Sequence, residues 1–284
     1  MYTTEFEYVR AATLDEAISL LKEDKDAKLL AGGHSLLPAM KFRLARPGKL
    51  IDIGRIEDLR GIDKSKDTVS IGALTTHAMI AASDDVPTAL SEAAAGVGDP
   101  QVRVRGTIGG NIAHADPGSD LPIVLVALGA TVQLMGSGGK RSVAAEDFFM
   151  GLFETALSEG EVITSIEIPV SGKGSGSAYA KLANPASRYA MVGAAATLTV
   201  NNGTCDDCSV AVGGLTHMAI KAPSVAAALV GKEISDESIV EAAQAVQSDL
   251  GGDILSDIHA NEEYRRAMAT VIVKNALTDA AARA

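Results

Sequence analysis

The sequence predicts an α+β protein in two parts, a larger first part of alternating short strands and helices and a smaller antiparallel sheet with helices behind it. Three observations predict this. Up to about residue 170, short apolar runs alternate with capped helical segments; Ser171-Gly172-Lys173-Gly174-Ser175-Gly176-Ser177 then interrupts the pattern; beyond it, three strand-like runs precede a stretch that is only helical. At 284 residues the chain exceeds a usual single core, so more than one domain is expected. The expected division is residues 1–172, itself split near 54–60, and 178–284.

Thr13-Leu14-Asp15-Glu16 has capping-box spacing, and Ala17, Ile18, Leu20 and Leu21 supply an apolar stripe, so a helix is expected over about 14–23. Lys28 to Ala31 reads as a short strand, Leu36 to Lys41 as a short helix and Lys49 to Ile53 as a second buried strand ending at Gly54. Thr68 to Gly72 alternates polar and apolar residues, as a half-buried strand does. Helices follow from Thr75-Thr76-His77 and from Pro87. Asp120-Leu121-Pro122 opens another, with Asp120 expected as N-cap and the proline in the first turn. Ala130 to Met135 and Glu161 to Pro169 read as strands, with Gly136 to Gly139 as a turn.

The Gly/Ser-rich stretch from Ser171 to Ser177 is expected to be a flexible boundary. After it, Ala178 to Ala183, Met191 to Val200 and Cys208 to Gly213 read as strands, with Asn201-Asn202-Gly203 as a hairpin turn. Helices are expected over about 223–230, 236–248 and 261–281.

Two glycine pairs carry the functional signal. Ala31-Gly32-Gly33-His34-Ser35 leaves a strand, and Thr107-Ile108-Gly109-Gly110-Asn111 runs on to Asp120. Glycines leave consecutive backbone N–H groups uncovered, and such nests bind phosphate oxygens. Ser35 and Thr107 add small hydroxyls, and Asn111 can both donate and accept. A single pair reads as a plain tight turn; two pairs, each flanked by small polar residues, favour a shared anionic ligand.

The formal net charge of −11 argues against general binding to nucleic acid or an anionic membrane surface. It leaves room for a diphosphate, since backbone amides and Arg43, Arg103 or Arg105 act at short range. No apolar run approaches a membrane span, and Met1-Tyr2-Thr3-Thr4-Glu5-Phe6-Glu7 lacks the basic-then-apolar order of a signal peptide, so a cytoplasmic protein is expected. Cys205 and Cys208, the only cysteines, have CxxC spacing but no second pair to complete a metal site, and a structural hairpin edge is expected. Gly96-Val97-Gly98-Asp99-Pro100 lacks the third glycine of a Rossmann fingerprint.

With both glycine loops, Asp120 and the strand–linker–strand passage together, nearly the whole chain resembles the flavin-bearing medium subunits of the molybdenum hydroxylases, the carbon monoxide dehydrogenase and xanthine dehydrogenase type. The resemblance implies a two-part FAD-binding domain of the vanillyl-alcohol oxidase type, followed by a C-terminal α+β domain of the carbon monoxide dehydrogenase flavoprotein type. It implies that Leu29-Leu30-Ala31-Gly32-Gly33-His34-Ser35-Leu36 and Thr107-Ile108-Gly109-Gly110-Asn111 clasp FAD. Asp120 then matches a position that contacts FAD, Ile163 one that packs against it, Lys181 a lysine near the flavin and Tyr189 an aromatic that stacks on the ring. Val97 stands where xanthine dehydrogenases carry a phenylalanine. Read without the resemblance, Asp120 is a helix cap, Ile163 core, and Lys181 and Tyr189 strand residues.

The resemblance also implies a large molybdenum-cofactor subunit and a small iron–sulfur subunit with two-iron two-sulfur clusters, in a dimer of heterotrimers. In that arrangement this chain passes electrons from the clusters through FAD to a terminal acceptor. No catalytic residue and no metal ligand is expected on the chain itself, and His34 and His114 are read as backbone-positioning. The cysteine-rich insertion of the thioester reductase branch is missing from the sequence. Two rivals stay open at this point: an autonomous FAD-dependent oxidoreductase of the same fold, and a scaffold whose loops have lost their ligand.

Overall fold

A computed structural model describes residues 2–284. Thr13 Oγ1 accepts from the Glu16 N–H at 3.2 Å and so caps the helix Leu14–Glu23, while Glu16 Oε2 reaches past the cap and accepts from the Ala12 N–H at 2.6 Å, so the expected capping box is only half formed. That helix covers a three-stranded parallel sheet in which Lys49–Asp52 lies between Glu7–Arg10 and Lys28–Leu30. Ala11, Ala17, Ile51 and Ile53 form its small core.

An antiparallel five-stranded sheet follows, in the order Ile62–Lys64, Thr68–Gly72, Val162–Pro169, Thr131–Gly136, Gly139–Ala144. The helix Asp120–Ala127 is buried along its whole length, and its all-round apolar sequence has a packing reason. It lies between this sheet and the C-terminal one, where Gly193 and Gly213 leave space for Ile123: a Cβ on either would come within 2.7 Å of its side chain.

The C-terminal sheet has four antiparallel strands, in the order Ser175–Ala183, Ala190–Asn201, Thr204–Gly213, Ile220–Lys221. Asn202 (φ 50°) and Gly203 (φ 82°) make the expected hairpin turn with the left-handed residues that tight hairpins need. The helices Pro223–Leu229, Asp236–Gln244 and Glu262–Ala281 pack on one face of this sheet. Cys205 and Cys208 are free and buried in that core, where burial pushes the Cys208 thiol up to about 12.

Two expectations need correction. Ser175, Gly176 and Ser177 are strand, not linker: a Cβ on Gly176 would sit 2.0 Å from the Ala280 carbonyl oxygen, so this glycine serves close packing against the C-terminal helix. Asp120 is not the N-cap of its helix; Ser119 holds that position, and the Asp120 carboxylate turns inward. Strands Glu7–Arg10, Ile62–Lys64, Gly139–Ala144 and the small hairpin Phe149–Gly151/Glu154–Thr155 were not expected from the sequence.

The two parts are tied together along the edge strand Ser175–Ala183. Glu92, on the helix Thr88–Gly96, accepts from the Tyr179 N–H at 2.9 Å and from Arg283 at 2.6 Å, and Arg283 also donates to the Ser177 carbonyl. Among the described residues no helix is long and apolar enough to cross a membrane.

Candidate functional site

The two glycine loops, 77 residues apart in sequence from Gly32 to Gly109, are packed against each other. A Cβ on Gly32 would lie 2.2 Å from the Arg105 carbonyl oxygen, and one on Gly110 would lie 3.7 Å from the Ala31 methyl group. Gly32 is therefore required by the approach of the second loop. Gly33 is required by its own backbone, at φ +75°.

The loops differ in what their amides do. In the first, the N–H groups of Gly32, Gly33, His34 and Ser35 donate to no protein acceptor among the described residues. They lie between the strand Lys28–Leu30 and the short helix Leu36–Lys41, and form a run of four uncovered donors. His34 Nδ1 donates back to the Gly32 carbonyl at 3.3 Å, which keeps its ring on the loop, as a backbone-positioning role requires.

In the second loop the amides are engaged. Ile108 and Gly109 donate to the Thr75 and Ala73 carbonyls, and Gly110 donates to Thr107 Oγ1, the N-cap of the helix Ile108–His114. A Cβ on Gly109 would come within 2.6 Å of the Ala73 methyl group, so its role is close packing. Asn111 Oδ1 accepts from Ser119 Oγ at 2.7 Å, and its Nδ2 hydrogens meet no protein acceptor among the described residues. Ile163 is buried one residue from Thr164, whose carbonyl accepts from Ala73, and so backs this loop.

Behind the second loop stands His77, a residue not singled out from the sequence. Its backbone N–H donates to the Gly106 carbonyl, a Cβ on Gly106 would come within 2.7 Å of its ring, and its buried Nδ1 has no hydrogen-bond partner among the described residues. Burial, with His34 and Arg103 nearby, lowers its pKa to about 4, so the ring is neutral at physiological pH.

Val97, Asp120, Lys181 and Tyr189 form a second group. Lys181 Nζ donates to both Asp120 oxygens at 3.0 Å, to the Gly96 carbonyl at 2.9 Å and to the Arg188 carbonyl at 2.8 Å. Its three hydrogens are thus all directed at protein acceptors. Tyr179, a second residue not foreseen, donates its hydroxyl to Asp120 Oδ1 at 2.6 Å. Burial pushes the Asp120 carboxyl up from its ordinary value, while the ammonium and the phenol pull it back. Removing one partner of such a pair strands the other, at a cost of about 3–5 kcal/mol. Val97 caps the helix Thr88–Gly96 next to the Gly96 carbonyl that Lys181 holds. Tyr189 is 45% exposed, with its ring on Gly118. Burial, then Asp116 and Asp120, raise its phenol, which stays protonated at physiological pH. The turn Ala115–Ser119 joins the two groups through the Asn111–Ser119 bond.

These residues fit an FAD: four uncovered amides and the Asn111 amide suit a diphosphate, and an exposed aromatic beside a buried, charge-neutral pair suits a flat uncharged ring. Among the described residues no group of three His, Cys, Asp or Glu could hold a metal.

Comparison with known proteins agrees. Residues 4–171 match the FAD binding domain in molybdopterin dehydrogenase, and residues 177–280 the CO dehydrogenase flavoprotein C-terminal domain. The carbon monoxide dehydrogenase medium chain of Hydrogenophaga pseudoflava is 40% identical, over 100% of this chain and 99% of that one. The glyceraldehyde dehydrogenase medium chain of Sulfolobus acidocaldarius is 38% identical, over 99% and 100%. Among solved structures, a carbon monoxide dehydrogenase from Hydrogenophaga pseudoflava superposes with TM-score 0.95 at 42% identity, covering 100% of this chain and 99% of that one. A quinoline 2-oxidoreductase from Pseudomonas putida 86 superposes with TM-score 0.93 at 35% identity, covering 99% of each.

Proposed function

The chain belongs to the family of FAD-binding medium subunits of the molybdenum hydroxylases, and on that premise we propose that it relays electrons from an iron–sulfur partner subunit to a terminal acceptor. FAD, when bound, supplies exchange of electrons singly or in pairs. The chain's own residues hold and orient it. The amides of Gly32, Gly33, His34 and Ser35 bind the diphosphate, Leu29 to Leu36 and Thr107 to Asn111 close around it, and Ile163 supports the second loop. Val97, Asp120 and Tyr189 face the ring system. Residues 1–172 form the FAD-binding domain and 178–284 the C-terminal domain.

The observation that carries the reading is the first loop: four successive amides with no protein acceptor among the described residues, held open by contact with the second loop. Relatives named as medium chains or subunits support a division of labour, and the partners proposed are a large molybdenum-cofactor subunit and a small iron–sulfur subunit in a cytoplasmic dimer of heterotrimers. Relatives named for carbon monoxide, glyceraldehyde and nicotine match this chain at 40, 38 and 36% identity, so the choice of substrate falls to another subunit.

Co-purification of the natively expressed complex tests this. The expected result is three polypeptides with FAD, molybdenum and iron, while the isolated chain reduces dyes but turns over no organic substrate. A lone flavoprotein with its own substrate would replace the relay reading with that of an autonomous oxidoreductase.

A further inference from the structure

Lys181 lies on the strand Ser175–Ala183, and its ammonium is mostly buried, with 13% of the side chain exposed. It reaches three separate pieces of chain: the end of the helix Thr88–Gly96 at the Gly96 carbonyl, the start of the helix Asp120–Ala127 at the Asp120 carboxylate, and the loop between two C-terminal strands at the Arg188 carbonyl. With every hydrogen directed at protein, it has none left for a ligand.

The third contact is the informative one. Arg188 has a left-handed backbone, φ +63°, which is costly for a residue with a side chain and persists only where its surroundings enforce it. The Asn184 side chain folds the loop by accepting from Ala186 and Ser187, and Arg188 donates to the Asn184 carbonyl. The peptide plane that follows Arg188 is oriented by Lys181, and the next residue is Tyr189. On its far side Tyr189 rests on Gly118, where a Cβ would come within 3.0 Å of its Cδ1, and the Ala190 N–H donates to the Gly118 carbonyl.

We propose that Lys181 is a positioning residue: by holding the Arg188 carbonyl while paired to Asp120, it fixes the angle at which Tyr189 is presented to the flavin. The flavin half of this inference rests on the reading above, that Tyr189 meets the ring. The tie between Lys181 and the loop stands on the contacts alone.

Lys181→Met in the full-length holoprotein separates the two halves. Trypsin cleavage after the exposed Arg188, followed by mass spectrometry, reads the tie without reference to the cofactor. Flavin fluorescence, which a contacting aromatic quenches, reads the presentation of Tyr189. The expected result is at least about tenfold faster cleavage at Arg188, since loop cleavage follows local opening. It is accompanied by brighter flavin at unchanged FAD content and by no further brightening when Lys181→Met is added to Tyr189→Ala.

Unchanged cleavage overturns the tie. FAD loss with unchanged cleavage, or additive effects of the two substitutions, makes Lys181 a direct cofactor contact and overturns the inference. Flavin fluorescence unmoved by Tyr189→Ala overturns the flavin half and the ring-facing role of Tyr189, while the cleavage rates still decide the tie. If Lys181→Met does not fold, the pair Lys181→Met/Asp120→Asn removes both charges together, and Gly118→Ala displaces Tyr189 without touching the pair. The same faster cleavage is expected of the first and the same brightening of the second, and failure of either counts against the proposal.

Discussion

Gly32→Ala tests how the cofactor site is built. The added methyl would lie 2.2 Å from the Arg105 carbonyl oxygen, 2.9 Å from its carbonyl carbon and 3.1 Å from the Gly106 Cα, all backbone atoms that no rotamer change can clear. An ordinary carbon–oxygen contact is about 3.3 Å, so the two loops must part by about 1 Å. Overpacking of this kind costs about 1–3 kcal/mol. Taking about 2 kcal/mol, the melting temperature of the flavin-free protein falls by about 4–8 °C. If the four amides lose their alignment by the same amount, FAD binding weakens by about 30-fold. Differential scanning fluorimetry of the apoprotein and FAD titration measure both quantities. Gly48→Ala is the control: nothing lies within 4 Å of its added methyl, and both readings stay near wild type. Loss of FAD binding with an unchanged apoprotein melting temperature would refute the reasoning, because the glycine would then serve the ligand alone.

Other predictions concern buried titratable groups. His77 is held neutral with a pKa of about 4, against about 6.5 in the unfolded chain, so the unfolded state takes up its proton first as pH falls. Stability should therefore drop by up to about 3 kcal/mol between pH 6.5 and 4, and His77→Asn should flatten that part of the profile in denaturant titrations; equal slopes would exclude the assignment. The Cys205 and Cys208 thiols are both raised by burial, Cys208 to about 12. Neither should react with iodoacetamide at pH 8 in the native protein, and both should react once it is unfolded; rapid native labelling would mark a redox or metal role instead.

Much of the fold was legible because its signals are local. Thr13 and Glu16 form their cap within one turn, Asn202 and Gly203 make their own hairpin, and the strand Thr68–Gly72 shows its alternation directly. The errors came where a local signal served a distant contact. Ser175-Gly176-Ser177 has the composition of a linker, yet Gly176 is small because a helix terminus from Ala280 lies against it. Asp120 precedes a proline as caps do, but its carboxylate answers Lys181 and Tyr179, 61 and 59 residues away.

The site divides the same way. The first glycine loop announces itself, since Gly32 and Gly33 mark it in the sequence, although the contact with Arg105 that requires Gly32 does not show there. The second resembles it in sequence but works differently, with its amides engaged by Ala73, Thr75 and Thr107. No sequence pattern marks His77 as the support of Gly106 or Lys181 as the tie of a loop, because both roles depend on which segments fold beside them.

The most direct test of the account is a crystal structure of the chain loaded with FAD. It should show diphosphate oxygens within about 3.2 Å of the amides of Gly32, Gly33, His34 and Ser35, with the two glycine loops in contact as described here. A diphosphate bound elsewhere, with those four amides turned to water, would contradict it.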